Sequence, residues 1–373
     1  MKISYKSKGH SRLWSTLRHG ALALASAAVL AGATFSAADA ADKKFLLKTP
    51  SAFKQDLPIT GTSATYFADL LKQISGGTLR VKLYDPGKLI PAFEIHKSVS
   101  EGKVDAGYTC AAYLGGSLKE AIPFCTFPFS PHPEVYMAWL YQGNGMKLYQ
   151  KVYDDAGYKL KVFPVAIYSS EGAGWFTKKL EKPEDWKGVK LRIGGFAASA
   201  LKKLGAVPTL IPFGEIFPGL EKGVIDGAEM GLPANDLRAG LYKVAKFYHM
   251  PSWHQPTTII EFVINKDKWD SMSDAQRAQI EAASRAANVW SMTRAAATQT
   301  AALDELRSKG VTVVKWDDTM IAAMRKAYME AIGELTAEHA NLKAVMDDFA
   351  QFMVDYKKWE SIGMIRRDQT MFD

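Results

Sequence analysis

The stretch "EGKVDAGYTC" (Glu101–Cys110) decides the fold, because "KGVIDGAEMG" (Lys222–Gly231) repeats its pattern roughly 120 residues later. Both read Gly-x-Val/Ile-Asp followed by small residues, and both come after a run with helical apolar spacing. The glycine reads as the left-handed residue that ends a helix, and Val/Ile-Asp as the start of the next strand. Upstream of the first copy, "FLLKTP" is a short strand, and "TSATYFADLLKQISGG" is a helix with apolar residues every three or four positions that stops at a Gly pair. "TLRVKLYDPG" alternates as a strand, "FEIHKSVSEG" is helical and "KVDAGYT" is a strand. This β-α-β-α-β order implies parallel strands with crossover helices. The order recurs in "VKLRIGG", "FAASALKKLGA", "VPTLIP", "FGEIFPGLEKG" and "VIDGAEMG", which makes a second α/β lobe. Ligands of open α/β sheets bind beyond the carboxyl ends of strands. Residues Tyr108 to Tyr113 and Glu229 to Pro233 are therefore expected to face a ligand, one set from each lobe.

At 373 residues the chain exceeds the usual single-core size, which suits two lobes. A composition of 47% hydrophobic and 23% charged residues is that of a soluble globular protein. The N-terminus differs: Lys2, Lys6, Lys8, Arg12 and Arg18 precede an uncharged apolar run, Ala21 to Phe35, and then Ala38-Asp39-Ala40. That run is too short to span a bilayer comfortably, and the pattern is that of a signal peptide over residues 1–40, so export to the periplasm is expected. No later segment offers the apolar length of a membrane span. Without its five basic and one acidic residues, 42 basic stand against 38 acidic, a net +4 in place of +8. With no cluster of Lys/Arg among aromatics, nucleic acid is not an expected partner.

Cys110 and Cys125 meet an oxidising compartment, where they either pair or stay as two buried thiols. Neither Cys-x-x-Cys nor His-Glu-x-x-His occurs, and the seven His are not spaced as ligands. The absence of a Gly-x-Ser-x-Gly elbow, a P-loop or a Gly-x-Gly-x-x-Gly after a strand removes the usual signs of a secreted enzyme. After Asp267 the chain is mostly helical, with Ser273 as an N-cap and Gly310 at the end of a long helix. "VTVVKW" then reads as a strand added to the second lobe, and the tail as two or more amphipathic helices. The expected layout is lobe I over residues 41–168 plus about 258–300, lobe II over 169–257 plus about 301–325, and a helical C-terminal region over 326–373.

The stretches "LIPAFEIHKSVSEGKVDAGYT", "DWKGVKLRIGG", "LGAVPTLIPFGEIFPGLEKGVIDGAE" and "KDKWDSMSDAQRAQIEAAS" together resemble the extracytoplasmic solute receptors of tripartite ATP-independent periplasmic (TRAP) transporters. The resemblance covers the whole mature chain and is closest in style to receptors for 2-oxo acids and related monocarboxylates. It implies a two-lobed periplasmic binding protein fold with a cleft, a long lobe-spanning helix and a helical C-terminal extension. It also implies a small organic acid ligand, delivery to TRAP membrane subunits, no enzymatic activity, no required cofactor, and possible dimerisation through the C-terminal helices.

Carried over residue by residue, the resemblance points to Arg192 of "KLRIGG" as the partner of a ligand carboxylate, a role suited to the planar guanidinium fork. It further implies a metal ion held by a glutamine just before a Gly-Trp-Phe motif and by a Glu-Trp pair after the "IDAAE"-like strand. Here "SSEGAGWF" puts Glu171 at the glutamine position, and "DGAEMG" keeps Glu229 but has Met230 for tryptophan. The expected cation, sodium or calcium, would then sit among Glu171, Glu229 and Met230. A ligand with its own positive group would instead bind the two glutamates directly. Other expected wall residues are Phe53, Tyr113, Trp175 and Phe213, together with Trp253, His254 and Gln255, which follow Pro251 where the chain returns to the first lobe.

Overall fold

In both copies of the repeat the glycine ends the helix as expected, but Val104-Asp105 and Ile225-Asp226 lie just before the strands they were expected to start, which begin at Ala106 and Gly227. Gly102 and Gly223 have φ of 71° and 67°, the left-handed conformation that ends each helix without a Cβ penalty. The aspartate has a matching task in each copy. Asp105 accepts the Lys48 backbone N–H at 2.9 Å, and Asp226 accepts the Lys190 N–H at 2.8 Å, so each pins its loop to the neighbouring strand.

The structure, a computed structural model, describes residues 43–365. The expected signal peptide, residues 1–40, lies outside them. The first half of the chain runs β1 (Phe45–Pro50), α1 (Thr62–Ile74), β2 (Leu79–Tyr84), α2 (Ile95–Ser100), β3 (Ala106–Thr109), α3 (Pro133–Gln142), α4 (Gly145–Asp155) and β4 (Leu160–Tyr168). It continues with β5 (Gly174–Phe176), β6 (Lys190–Arg192), α5 (Gly195–Lys203), β7 (Val207–Thr209), α6 (Ile216–Glu221), β8 (Gly227–Ala228), α7 (Pro233–Ala239) and β9 (Phe247–Met250). Then follow β10 (Thr258–Asn265), α8 (Lys266–Asp270), α9 (Asp274–Ser308), β11 (Thr312–Lys315), α10 (Asp318–Glu338) and α11 (Ala340–Gly363).

Two sheets of the same design form the two lobes. In the first, β2 and β1 are parallel, a bridge from Ser51 to Tyr108 joins them to β3, and β10 lies antiparallel between β3 and β4. In the second, β7, β6 and β8 are parallel, β5 lies antiparallel between β8 and β9, and β11 adds a parallel edge. The sheets therefore match strand for strand in order and direction over five positions. In each, the fourth strand arrives from the other sheet, β10 following β9 and β5 following β4, so the chain crosses between sheets at both places.

Helix α9, about 52 Å long at 1.5 Å per residue, packs against α1, β4 and α7. The expected Ser273 cap is a full capping box with Gln276. Its buried polar residues satisfy backbone that the sheet leaves over: Ser291 Oγ accepts the Ile167 N–H at 3.0 Å, and Asn288 Nδ2 donates to the Pro164 carbonyl at 3.0 Å. Gln299 accepts the Ala234 N–H of α7 at 3.1 Å, so one continuous helix braces elements next to both sheets. The expected boundaries near 300 and 326 fall inside α9 and α10.

Cys110 and Cys125 form a disulfide, the pairing that the sequence left open. Among the described residues, no helix is long and apolar enough to cross a membrane.

Candidate functional site

The carboxyl ends of the parallel strands converge on one cavity of about 670 Å³, counting the part open to solvent. Arg192, the last residue of β6, Glu229, just past β8, and Glu171, just before β5, line one side of it. All three are buried. Gly172 explains how Glu171 gets there, since a Cβ at that position would sit 2.2 Å from the Tyr248 hydroxyl, and only glycine lets the chain pass so close. From the first sheet come Phe53 past β1, Cys110 and Tyr113 past β3, Tyr168 at the end of β4, and Thr258 and Ile260 on β10.

Arg192 is engaged at two of its nitrogens: Nη1 donates to Glu229 Oε2 at 2.6 Å and to the Glu229 carbonyl at 3.0 Å, while Nε donates to the Ile211 carbonyl at 3.2 Å. These bonds fix the guanidinium plane at the cavity wall, where the Tyr113 hydroxyl is a further hydrogen-bond partner of Arg192. Gly194, Gly195, Phe196 and Ala197 also line the cavity, so α5 opens there with its positive dipole end. Glu171 Oε1 accepts from Thr258 Oγ1 at 2.8 Å, whereas Oε2 is buried without a hydrogen-bond partner. Burial, reinforced by the nearby Glu229 charge, pushes the Glu171 carboxyl well above its usual range. At Glu229 burial also raises the pKa, but the Arg192 guanidinium opposes it, so a proton shared by the pair resides on Glu171. Burial pushes Tyr113 up to about 12 and His254 down to about 3, which leaves both neutral near pH 7.

Of the expected site residues, Phe53, Tyr113, Glu171, Arg192, Phe213, Glu229, Met230, His254 and Gln255 line the cavity. Trp175 does not. Its ring stacks on Tyr248 with centroids 4.3 Å apart, and its indole N–H donates to Asp236 at 2.8 Å in a separate core of the second lobe. Trp253 is also absent from the wall, packing against Phe129 while its neighbour His254 takes the cavity position. Within the two expected loops, Tyr108 is a core residue whose hydroxyl donates to the Thr60 carbonyl, and the wall takes Cys110, Ala112, Tyr113, Glu229 and Met230. Thr60, Thr126, Phe127, Tyr168, Phe196, Thr258 and Ile260 line the cavity without having been expected. Thr60 links the halves directly: its Oγ1 accepts from Asn235 Nδ2 at 2.6 Å and lies 2.9 Å from the Tyr168 hydroxyl.

The donor set suits a hard cation held by few protein ligands. Among the described residues no group of three His, Cys, Asp or Glu side chains could hold a metal ion. Glu171 and Glu229 are instead a buried pair of carboxylates, one with an oxygen lacking a partner, and such oxygens fit sodium or calcium when a ligand supplies more. The Met230 thioether is too soft for either ion, so that residue has only its carbonyl to offer.

Residues 51–339 match the family described as bacterial extracellular solute-binding protein, family 7. A monocarboxylate 2-oxoacid-binding periplasmic protein of a Nostoc species is 28% identical over 82% of this chain and 83% of its own length. A TRAP transporter solute binding protein from Bordetella bronchiseptica, a mixed occupancy dimer with calcium and picolinate bound, superposes with a TM-score of 0.83 at 25% identity, covering 86% of this chain and 95% of that one. One from Pseudoalteromonas atlantica with sodium and pyruvate reaches 0.81 at 28% identity, covering 86% and 97%. This two-lobed chain with its buried charged triad is thus not an enzyme but a TRAP-type solute receptor, and it belongs to family 7 of the bacterial extracellular solute-binding proteins.

Proposed function

We propose that the protein is a periplasmic receptor that closes around a small monocarboxylate of the 2-oxo acid class, anchors it on Arg192 and passes it to TRAP membrane subunits for ion-driven uptake. The observation that carries this reading is the buried triad of Arg192, Glu229 and Glu171 at the strand ends. The ligands of the relatives support the same class: 2-oxo acids and pyruvate belong to it, and picolinate is likewise a small monocarboxylate.

Charge balance supports a cation in the same cavity. With both glutamates ionised, the triad carries one net negative charge, and a ligand carboxylate makes it two. Calcium neutralises that sum, and sodium leaves one charge over in a site where water exclusion makes it expensive. Calcium is therefore the favoured ion once Glu171 has given up its proton, held by Glu171, Glu229, the Met230 carbonyl and the ligand itself, whereas with that proton retained sodium alone balances the charge. The unpartnered Glu171 Oε2 also favours a second reading, in which a zwitterion places its ammonium between the glutamates and the receptor serves another transporter or a sensor.

Calorimetry with pyruvate after chelation and dialysis into sodium-free buffer tests the first reading. Affinity is expected to fall and to return at lower calcium than sodium concentration. Equal affinity with and without both ions overturns the cation bridge. Pairing of two copies through α11, which exposes Val354, Trp359 and Ile362, belongs to the same proposal and is read by sedimentation.

A further inference from the structure

Beside the inner cavity lies a second one of about 1400 Å³, again counting the part open to solvent. Phe213 and Met230 line both, so these two side chains are the wall between them. The outer cavity is walled by apolar groups including Ala52, Leu57, Ala92 and Phe217. Its charged residues, among them Asp56 and Arg238, are exposed, and these two form an ion pair across the mouth. Met230 directly follows Glu229, the partner of Arg192, so a chain growing away from a carboxylate held at Arg192 meets Met230 and Phe213 next. The divider is built to yield: Phe213 is only half-buried and touches Phe53 edge-on at 5.8 Å, and Met230 is an unbranched thioether with three rotatable bonds.

Resting on the receptor reading above, we propose that the site takes 2-oxo acids with an extended aliphatic tail. The tail passes between Met230 and Phe213 into the outer cavity, and these two residues set the preferred chain length. The head group stays at Arg192 and the glutamates, and each methylene of the tail leaves water for an apolar wall.

The test is calorimetry in calcium-containing buffer with pyruvate, 2-oxobutyrate, 2-oxohexanoate and 2-oxooctanoate. Affinity is expected to rise about two- to fourfold per added methylene, the hydrophobic gain less the cost of ordering the tail. Met230→Trp, which fills the gap, should flatten this slope. Ala239→Trp, which fills the outer cavity from the end of α7, should lower the ratio of 2-oxooctanoate to pyruvate affinity. Pyruvate binding with a steep loss for the longer acids overturns the tail proposal and leaves the receptor reading intact. Failure of every acid to bind overturns both. An unchanged slope in Met230→Trp together with an unchanged ratio in Ala239→Trp removes the outer cavity from the account.

Discussion

Glu171→Gln is expected to stabilise the ligand-free protein, increasingly so as the pH rises. The folded-state pKa of Glu171 is raised well above the ordinary carboxyl value of 4.5, first by burial and then by the charge of Glu229. A group raised in this way contributes stability that is complete below its unfolded pKa and is lost as the pH climbs through its folded one. Between those two values the unfolded chain has released the proton while the native chain still holds it. Stability then falls by about 1.4 kcal/mol per pH unit for this one proton. Glutamine keeps the shape and the Thr258 contact but has no proton to lose. The gap between variant and wild type should thus open from about pH 4.5 at that slope, roughly 2–4 °C in melting temperature per unit, and level off where Glu171 ionises in the folded state. Thermal melts of both proteins in chelator, in a pH series, measure it, and taking the difference cancels Asp236, whose pKa burial also raises. With saturating calcium the gap should shrink or reverse, because the ion binds the ionised wild-type pair and not the amide. A gap that is flat across the series refutes the burial of an uncompensated carboxyl at this position.

Arg192→Ala should cost carboxylate binding about 3 kcal/mol or more by calorimetry, because it strands both the ligand carboxylate and Glu229, and Arg192→Lys should recover only part. Trp175→Phe should lower stability in chemical denaturation by about 1–3 kcal/mol by orphaning the Asp236 oxygen that its indole holds, while ligand affinity stays unchanged, since the ring is outside the cavity. Replacing Cys110 and Cys125 by serine opens a loop of 15 residues and should cost about 3 kcal/mol, read as a fall in melting temperature under oxidising conditions.

The sequence made the fold legible where a local signal had a single structural meaning. The repeated Gly-x-Val/Ile-Asp pattern marks a helix end and a strand start, and the rule for open sheets then points to Tyr108 to Tyr113 and Glu229 to Pro233, of which Cys110, Ala112, Tyr113, Glu229 and Met230 line the cavity. Arg192 and Glu171 were reached by resemblance, and their burial agrees with that placement. What stayed hidden depends on which face a residue presents. Trp175 lies on a three-residue strand, too short for alternation to reveal that its ring turns to the core shared with Tyr248. Trp253 and His254 are neighbours, and composition favours the larger aromatic although the cavity takes the smaller one. Thr60 and Thr258 carry no motif, and their place follows only once α7, β4 and β10 are set side by side. The cysteine pair is undecided by spacing, since bonding depends on whether the end of β3 and residue 125 come within reach; their Cα atoms are 5.9 Å apart.

The two sheets share a design but contribute unlike halves to the cavity. Arg192, Glu229 and Glu171 all stand at the strand ends of the six-stranded sheet, while the wall from the other sheet, Phe53, Tyr113, Tyr168, Thr258 and Ile260, holds no ionised group. On the proposed receptor reading, a charged ligand would be gathered by one lobe while still partly in water, and the neutral lobe would cover it without desolvating charges of its own. As that wall closes, the effective dielectric falls and every imbalance in the triad grows in energy. A ligand and ion that neutralise the site gain from closure, and one that leaves Glu171 uncompensated opposes it. On that reading discrimination would reside in the closed state rather than in first contact, because a ligand shifts an open–closed equilibrium only by its difference in affinity for the two forms. The buried link from Asn235 through Thr60 to Tyr168 joins uncharged side chains, so on this reading selection is left to the charges.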